Sequence, residues 1–231
     1  MFVDASFAAM RNEIPGTENQ FPKWTNAIRP LLTAALLGGA VYVVVLIGYG
    51  FSPRTTNVGY MPEQPVSYSH ALHVGDLGID CVYCHNTVEI AAQASVPPTQ
   101  TCMNCHAFIY PEKESLDAVW KSNETGLPIP WLRVHDLPDF VFFNHSAHLS
   151  AGVSCVSCHG RVDQMDVVYQ AETLSMGWCL ECHRDPDPNL RPRDKVTNLA
   201  WVPDEDPRHL GASLRAEHQI QPSTSCSVCH R

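Results

Sequence analysis

The sequence has little positive charge. Only 15 of its 231 residues are Lys or Arg, against 24 Asp or Glu, which gives a formal net charge of −9 at pH 7. Proteins that bind nucleic acid through phosphate contacts need a basic surface, so nucleic acid is not an expected partner. The acidic balance fits a solvated surface, or a surface that docks a basic protein.

The sequence also has few long segments with a regular apolar period. Its 18 prolines and 13 glycines interrupt the chain throughout, and both residues punctuate helices and strands. We therefore expect a mainly α and irregular fold of short helices and loops, with little regular secondary structure beyond one N-terminal segment. A conventional side-chain core is not expected.

No cysteine lies outside one repeated motif. The ten cysteines form five Cys-x-x-Cys-His sequences, here numbered motifs 1 to 5 along the chain. Their cysteines are Cys81 and Cys84, Cys102 and Cys105, Cys155 and Cys158, Cys179 and Cys182, and Cys226 and Cys229, followed by His85, His106, His159, His183 and His230. The pattern is typical of haem c attachment, in which two thiols bond to one porphyrin and the histidine binds the iron. It predicts five covalently bound haem c groups with these histidines as proximal axial ligands.

Three other chemistries use cysteine or cysteine with histidine. A zinc ribbon pairs two Cys-x-x-Cys knuckles but does not require histidine at the next position each time. A thioredoxin-like motif occurs once, in a βαβ setting, and disulfide frameworks belong to much smaller chains. The five following histidines favour haem, and five porphyrins would supply the interior that the apolar pattern lacks.

Residues 31–51, LLTAALLGGAVYVVVLIGYGF, form a run without a charged residue. A helix of this length spans the hydrocarbon layer of a membrane, about 30 Å thick, and Pro30 suits a first helical turn. A cleaved signal peptide is the alternative, but the preceding arm is long and no Ala-x-Ala site follows. We expect an uncleaved transmembrane helix at 30–51.

The orientation of this helix follows from charge and from haem chemistry. More basic residues precede the run than follow it closely, which favours a cytoplasmic N-terminus. Haem c is attached outside the cytoplasmic membrane in the bacterial systems that this motif resembles. We expect a cytoplasmic arm at 1–29, a single-pass helix in the bacterial inner membrane, and a periplasmic pentahaem domain at 52–231.

The haem domain contains an internal repeat. Residues 68–85, YSHALHVGDLGIDCVYCH, and 143–159, FNHSAHLSAGVSCVSCH, share an aromatic residue, a His-x-x-His sequence and a haem motif. A second motif follows each, which defines two-haem units at about 66–110 and 141–185 and a fifth haem at 226–230. The two upstream histidines of a unit cannot both bind an iron that already holds its motif histidine. We infer that they reach two neighbouring haems.

Seven histidines lie outside the motifs, and five irons need five distal ligands. The expected distal ligands are His70, His73, His135, His145 and His148. His209 and His218 fall in a helix that Asp206 would cap and Pro207 would begin, and His218 would share its apolar face. Met176 is a thioether that could replace a histidine. The sequence leaves these last three residues open.

The His-x-x-His sequence before a haem motif resembles the class III multihaem cytochromes of the c3 and c7 type. The resemblance implies that His70 pairs with the haem of His85, and that His145 pairs with the haem of His159. His73 and His148 would then serve other haems.

The N-terminal anchor, the five motifs and the runs PWLRVHDLPDFVFFNHSAHL and LSMGWCLECHR resemble the pentahaem membrane cytochrome c subunit of alternative complex III. The resemblance implies a subunit that is not an enzyme by itself and carries electrons from a quinol-oxidising membrane complex to a periplasmic acceptor or oxidase. The implied partners are an iron–sulfur, molybdopterin-oxidoreductase-like subunit, polytopic quinol-binding membrane subunits, a monohaem cytochrome c subunit, the lipid bilayer, and a soluble cytochrome or copper protein as acceptor.

Two other functions stay open at this point. A stand-alone membrane-anchored quinol dehydrogenase could feed a periplasmic reductase, although such cytochromes typically have four haems. A multihaem reductase would need one open axial position or a Cys-x-x-Cys-Lys motif, and the sequence contains no such motif.

Overall fold

The computed structural model describes residues 24–230, apart from the side chains of Pro53 and Arg54. The chain divides into two compact units, one ending at Ser52 and the other beginning at Pro53. Most of the expected cytoplasmic arm, residues 1–23, lies outside the described residues.

The first unit contains helix α1, Thr25–Gly50. Its 26 residues extend for about 39 Å at 1.5 Å per residue, more than the roughly 30 Å of a hydrocarbon layer. The helix is long and apolar enough to cross a membrane, as an anchor or a signal sequence would be. It begins before the expected position 30, so Pro30 lies inside the helix instead of in its first turn. Pro30 is the sixth residue of the helix, beyond its first turn, so its missing N–H leaves the Asn26 carbonyl without its usual intrahelical donor.

The second unit consists of short helical elements joined by irregular chain, and no β-strand occurs among residues 24–230. Two isolated bridges pair Val141 with His230 and Val153 with Leu190. The remaining α-helices are α2 Pro53–Thr56, α3 Cys81–Cys84, α4 Thr99–His106, α5 Asp117–Thr125, α6 His145–Ser150, α7 Val156–His159, α8 Met176–Arg184, α9 Pro207–Glu217 and α10 Cys226–Cys229. A π-helical segment covers Ala71–Asp76, and 3-10 turns cover Glu114–Leu116, Val162–Gln164, Asp187–Asn189 and Arg193–Lys195. The expectation of a mainly helical and irregular fold is confirmed.

Side-chain caps define where several of these short helices begin. Asp80 accepts a hydrogen bond from the Val82 backbone N–H at the start of α3. Asn144, Ser175 and Asp206 cap α6, α8 and α9 in the same way. Such caps satisfy backbone donors that have no partner inside the helix. The expected cap at Asp206 is confirmed.

The apolar core of the second unit is small. Val66, Leu116, Val119 and Ile129 form its buried cluster, with Trp131 packed against it. The cluster joins α4 to α5, and so holds the helix that contains motif 2. Other large apolar side chains are strongly exposed, among them Phe108, Ile90 and Val202. A core of this size leaves much apolar surface for large cofactors to cover.

Two glycines permit close backbone approaches around residues 187–191. Gly152 has a φ of +84°, and Arg191 donates a backbone hydrogen bond to its carbonyl at 3.0 Å. Gly211, within α9, lies directly against the Asp187 carbonyl, where any Cβ would overlap it. These contacts hold the chain that follows motif 4 against α9 and against the turn after α6.

Candidate haem-binding centre

All five haem motifs lie on short helices. Motifs 1, 3 and 5 each form a single turn, whereas motifs 2 and 4 lie at the ends of the longer helices α4 and α8. Residues three apart on a helix share one face, so each turn presents its two thiols together. No two of the ten cysteines form a disulfide bond.

Most of the thiols whose pKa departs from its usual value are held in the neutral form. Burial raises the pKa of Cys158 to about 12, and it raises the pKa of Cys84, Cys102, Cys179 and Cys182. Cys155 is the exception, because a hydrogen bond from Cys81 lowers its pKa. Redox-active and zinc-binding cysteines need accessible thiolates. Among residues 24–230, no group of three or more His, Cys, Asp or Glu side chains is placed to hold a metal ion by itself.

Seven imidazoles share the same hydrogen bond, from Nδ1 to a backbone carbonyl. The pairs are His73 with Ser69 (2.8 Å), His85 with Ser95 (2.9 Å), His106 with Ile109 (3.0 Å), His145 with Ala92 (2.9 Å), His148 with Asn144 (2.7 Å), His183 with Ser223 (2.7 Å) and His230 with Phe140 (3.3 Å). A carbonyl oxygen only accepts, so a proton lies on Nδ1, and in the neutral tautomer that this bond selects the lone pair is on Nε2. Histidines that bind metals are held in this way. Four of the seven are motif histidines.

Three pairs of imidazoles have the spacing of two ligands on one iron. An imidazole nitrogen lies about 2 Å from a bound transition metal and about 1 Å from its ring centre, so two such rings have centroids about 6 Å apart. The observed pairs are His73 with His106 at 6.2 Å, His145 with His159 at 6.4 Å, and His148 with His183 at 6.0 Å. Each pair combines an upstream histidine with a motif histidine.

Two buried imidazoles are neutral at physiological pH. Burial lowers the pKa of His70 to about 4, with a further contribution from His85. Burial also lowers the pKa of His159 to about 3, with contributions from His135 and other histidines. A histidine must be neutral to bind a metal, so both rings are ready to do so. The Nδ1 atom of His70 is buried and has no hydrogen-bond partner.

His135 lies close to motif 3 but is not placed to share its iron. Its ring meets the His159 ring edge-on, with centroids 4.3 Å apart. That distance is too short for a metal between the two rings. Its Nε2 atom is buried and has no hydrogen-bond partner, which leaves this nitrogen available to another iron.

The three residues that the sequence left open are exposed. Nδ1 of His209 lies 2.8 Å from the Glu205 carboxylate on the surface of α9. His218 is the C-terminal cap of α9 and is exposed. Met176 begins α8 with 66% of its surface exposed.

Two aromatic residues that sequence reasoning did not single out contact the upstream histidines. Tyr68 meets His70 edge-on at 4.7 Å and stacks on His73 at 4.4 Å. Phe143 meets His145 edge-on at 4.8 Å and stacks on His148 at 4.5 Å. The aromatic residue two positions before His-x-x-His was the available signal. The sequence repeat is therefore also a repeat of side-chain geometry.

Paired cysteines on one face of a helical turn, imidazoles held through Nδ1 and ring pairs about 6 Å apart fit covalently attached haem. These features are those of a multihaem c-type cytochrome. No family model matches the chain. The chain is similar to the multihaem cytochrome c subunit of menaquinone reductase from Nitratidesulfovibrio vulgaris strain Hildenborough. The two sequences are 27% identical over 219 residues, which cover 84% of this chain and 91% of the relative. The five motifs and this relationship together imply several c-type haems.

Proposed function

We propose that this chain is the electron-transfer subunit of a membrane-bound quinone oxidoreductase complex, with five covalently bound haem c groups. The observation that carries the proposal is the set of three imidazole pairs with centroids 6.0 to 6.4 Å apart. Irons held from both sides have no open position for a substrate, which suits electron transfer and not substrate turnover. The subunit is therefore not an enzyme by itself.

The chain's own residues would hold each haem from three directions. The two thiols of a motif form thioether bonds, and the motif histidine binds the iron on one side. We propose His73, His145 and His148 as distal ligands for motifs 2, 3 and 4, and His70 for motif 1. His135 is the remaining distal candidate, for an iron other than that of His159. Each bound haem supplies a one-electron ferric/ferrous couple.

The backbone carbonyls that accept from Nδ1 have a second role. A hydrogen bond from Nδ1 fixes the ring orientation and makes Nε2 a stronger base. A stronger donor stabilises ferric iron, and so lowers the reduction potential of that haem. Ala92 and Ser223 are examples, since their carbonyls hold His145 and His183 from distant parts of the chain.

We propose that α1 is an uncleaved anchor in the bacterial inner membrane. The N-terminus would then lie in the cytoplasm and the second unit in the periplasm, where haem c is attached. Support comes from the length and apolar character of α1 and from the excess of basic residues before it. Within this arrangement the membrane helix is 25–50 instead of the expected 30–51.

The quinone-linked function has two sources of support. The relative is a subunit of a menaquinone reductase, and the runs quoted above resemble the pentahaem subunit of alternative complex III, which oxidises quinol. We propose the quinol-oxidising role with the partners of that complex: the iron–sulfur, molybdopterin-oxidoreductase-like subunit, the polytopic membrane subunits and the monohaem cytochrome. The reverse direction, electron delivery to quinone, is the second candidate, because the relative's name describes it.

Purification from membranes in mild detergent tests the proposal. We expect the haem-stained band to co-migrate with polytopic and iron–sulfur subunits, and added quinol to reduce the c-type haems under anaerobic conditions. Reduction by quinol of a chain that migrates alone would support a stand-alone quinol dehydrogenase instead. Haems that quinol does not reduce, but that pass electrons from a reduced soluble cytochrome to menaquinone, would support the reverse direction.

A further inference from the structure

We infer that the five haem motifs are arranged in the spatial order 2–1–3–4–5, and that Asp80, Ser154 and Thr197 position the join between motifs 1 and 3. The inference rests on the proposed function, because it assumes that every motif holds a haem. It follows from contacts between neighbouring motifs, taken below one link at a time.

Motifs 2 and 1 are linked through the His-x-x-His sequence of the first two-haem unit, His70 to His73. His73 faces His106 of motif 2, while His70, on the same segment, is an electrostatic neighbour of His85 in motif 1. Asn104, inside motif 2, donates a hydrogen bond of 3.1 Å to the hydroxyl of Tyr83, inside motif 1. The two motifs are therefore adjacent.

Motifs 1 and 3 meet at the loop that contains Val196 and Thr197. The Thr197 hydroxyl donates to Asp80, the cap of motif 1, at 3.0 Å, and the Cys81 thiol lies 3.8 Å from the Thr197 carbonyl. The adjoining Val196 carbonyl accepts from the Cys155 backbone N–H at 3.3 Å and from the Ser154 hydroxyl at 2.6 Å.

This junction is tightly built. Ser154 retains only 2% of its surface exposure. Cys81 and Cys155 both contact this loop, Cys81 through the Thr197 carbonyl and Cys155 through the Val196 carbonyl. The first cysteines of motifs 1 and 3 therefore lie at one junction, so the haems that they would hold are neighbours. The two units of the sequence repeat are joined through their first haems.

Motifs 3 and 4 are linked by α6, since His145 faces His159 while His148 faces His183. Motifs 4 and 5 are linked by the hydrogen bond of 2.7 Å from Nδ1 of His183 to Ser223, three residues before motif 5 begins. These contacts complete the order and place motifs 2 and 5 at its two ends.

The order defines an electron path. Each motif would hold one haem, whose ferric/ferrous couple would accept one electron from one neighbour and pass it to the next. No proton moves within this chain. A quinol that supplies two electrons would send them one after the other and release its protons at its own site. In this order, electrons would cross between the two-haem units from motif 1 to motif 3, beside the Asp80–Thr197 contact.

The Thr197→Val variant tests the junction, because it removes the hydroxyl and keeps the side-chain shape. The purified holoprotein should retain five haems by haem quantification. Its low-temperature EPR spectrum should show altered low-spin signals for two haems, those of motifs 1 and 3. Thr197→Ser should restore the original signals. Thr125→Val is the matched control, since that hydroxyl bonds to Lys121 and Leu127 around the end of its own helix, and it should alter none.

The motif 3 signal is identified by the His145→Ala variant, which should remove it. Five haems with unchanged signals in Thr197→Val, or changes confined to motifs 2, 4 or 5, would overturn the inference. Loss of haem from the wild-type chain would instead overturn the proposed function.

If Thr197→Val does not accumulate, the double variant Cys226→Ser/Cys229→Ser tests the order independently. Removal of motif 5 should perturb the EPR signal of one neighbour, the haem of motif 4. A change in the signals of motifs 1 or 2 would contradict the order.

Discussion

The imidazole rings of His145 and His159 are nearly parallel, with an interplanar angle of 12° and centroids 6.4 Å apart. The two residues are 14 positions apart in sequence, and each belongs to a different short helix. The His145 ring is held by the Ala92 carbonyl, from the preceding haem unit. A pair held in this way leaves room for one iron and its porphyrin between the rings.

The His145→Ala variant should convert one haem of five from low spin to high spin. The variant removes one ring of the His145–His159 pair, which leaves the iron of motif 3 with an open axial position. Absorption and EPR spectra of the oxidised protein measure the change. His209→Ala is the control, because His209 is exposed and paired with Glu205, and its spectrum should match the wild type. A fully low-spin His145→Ala protein would rule out this ligand.

The Phe143→Leu variant should shift the EPR signals of two haems, while both haems stay attached. The Phe143 ring contacts both His145 and His148, and such ring pairs contribute about 0.5–1.5 kcal/mol beyond apolar burial. Without the ring, both imidazoles can rotate, so the EPR signals of motifs 3 and 4 should shift and the thermal midpoint should fall. Phe108→Leu is the control, since Phe108 is 88% exposed. Equal spectra for Phe143→Leu and the wild type would show that the contact does not orient the ligands.

The Val119→Ala variant should destabilise the region of motif 2. Val119 is 2% exposed within the small cluster that joins α4 to α5, and loss of its two methyl groups should cost about 2 kcal/mol. A lower thermal unfolding midpoint, with five haems still attached, is the expected result. Val202→Ala, at a side chain that is 75% exposed, should have little effect. Equal midpoints in the two variants would contradict the packing role of this cluster.

Replacement of residues 1–52 by a cleavable export signal should release a soluble protein with five haems. The second unit is compact without the first, and α1 is the candidate membrane span. Fractionation of cells into membrane and soluble material measures the result. The full chain, which should need detergent for extraction, is the control. A truncated protein that stays in the membrane fraction would show that other segments hold it there.

Local features of the sequence predicted much of the candidate site. The Cys-x-x-Cys-His spacing predicted the motif histidines as ligands, and the repeat predicted His73, His145 and His148, whose rings lie about 6 Å from motif histidines. The cap at Asp206 was predictable because capping depends on one side chain and its adjacent backbone.

Features that depend on distant parts of the chain were not predictable. The acceptor for His145 is 53 positions away at Ala92, and the acceptor for His183 is 40 positions away at Ser223. Both are backbone carbonyls, so residue identity carries no signal for them. His135 shows the same limit, because the residue that its ring contacts, His159, lies 24 positions further along the chain. The start of α1 before Pro30 was missed because proline favours a first helical turn, whereas here it lies at the sixth position of the helix.

The most direct test of the account is the mass of the intact chain under denaturing conditions. Thioether bonds survive denaturation, whereas iron ligation and zinc binding do not, so the account predicts a mass equal to the polypeptide plus five haems. A mass equal to the bare polypeptide would contradict it.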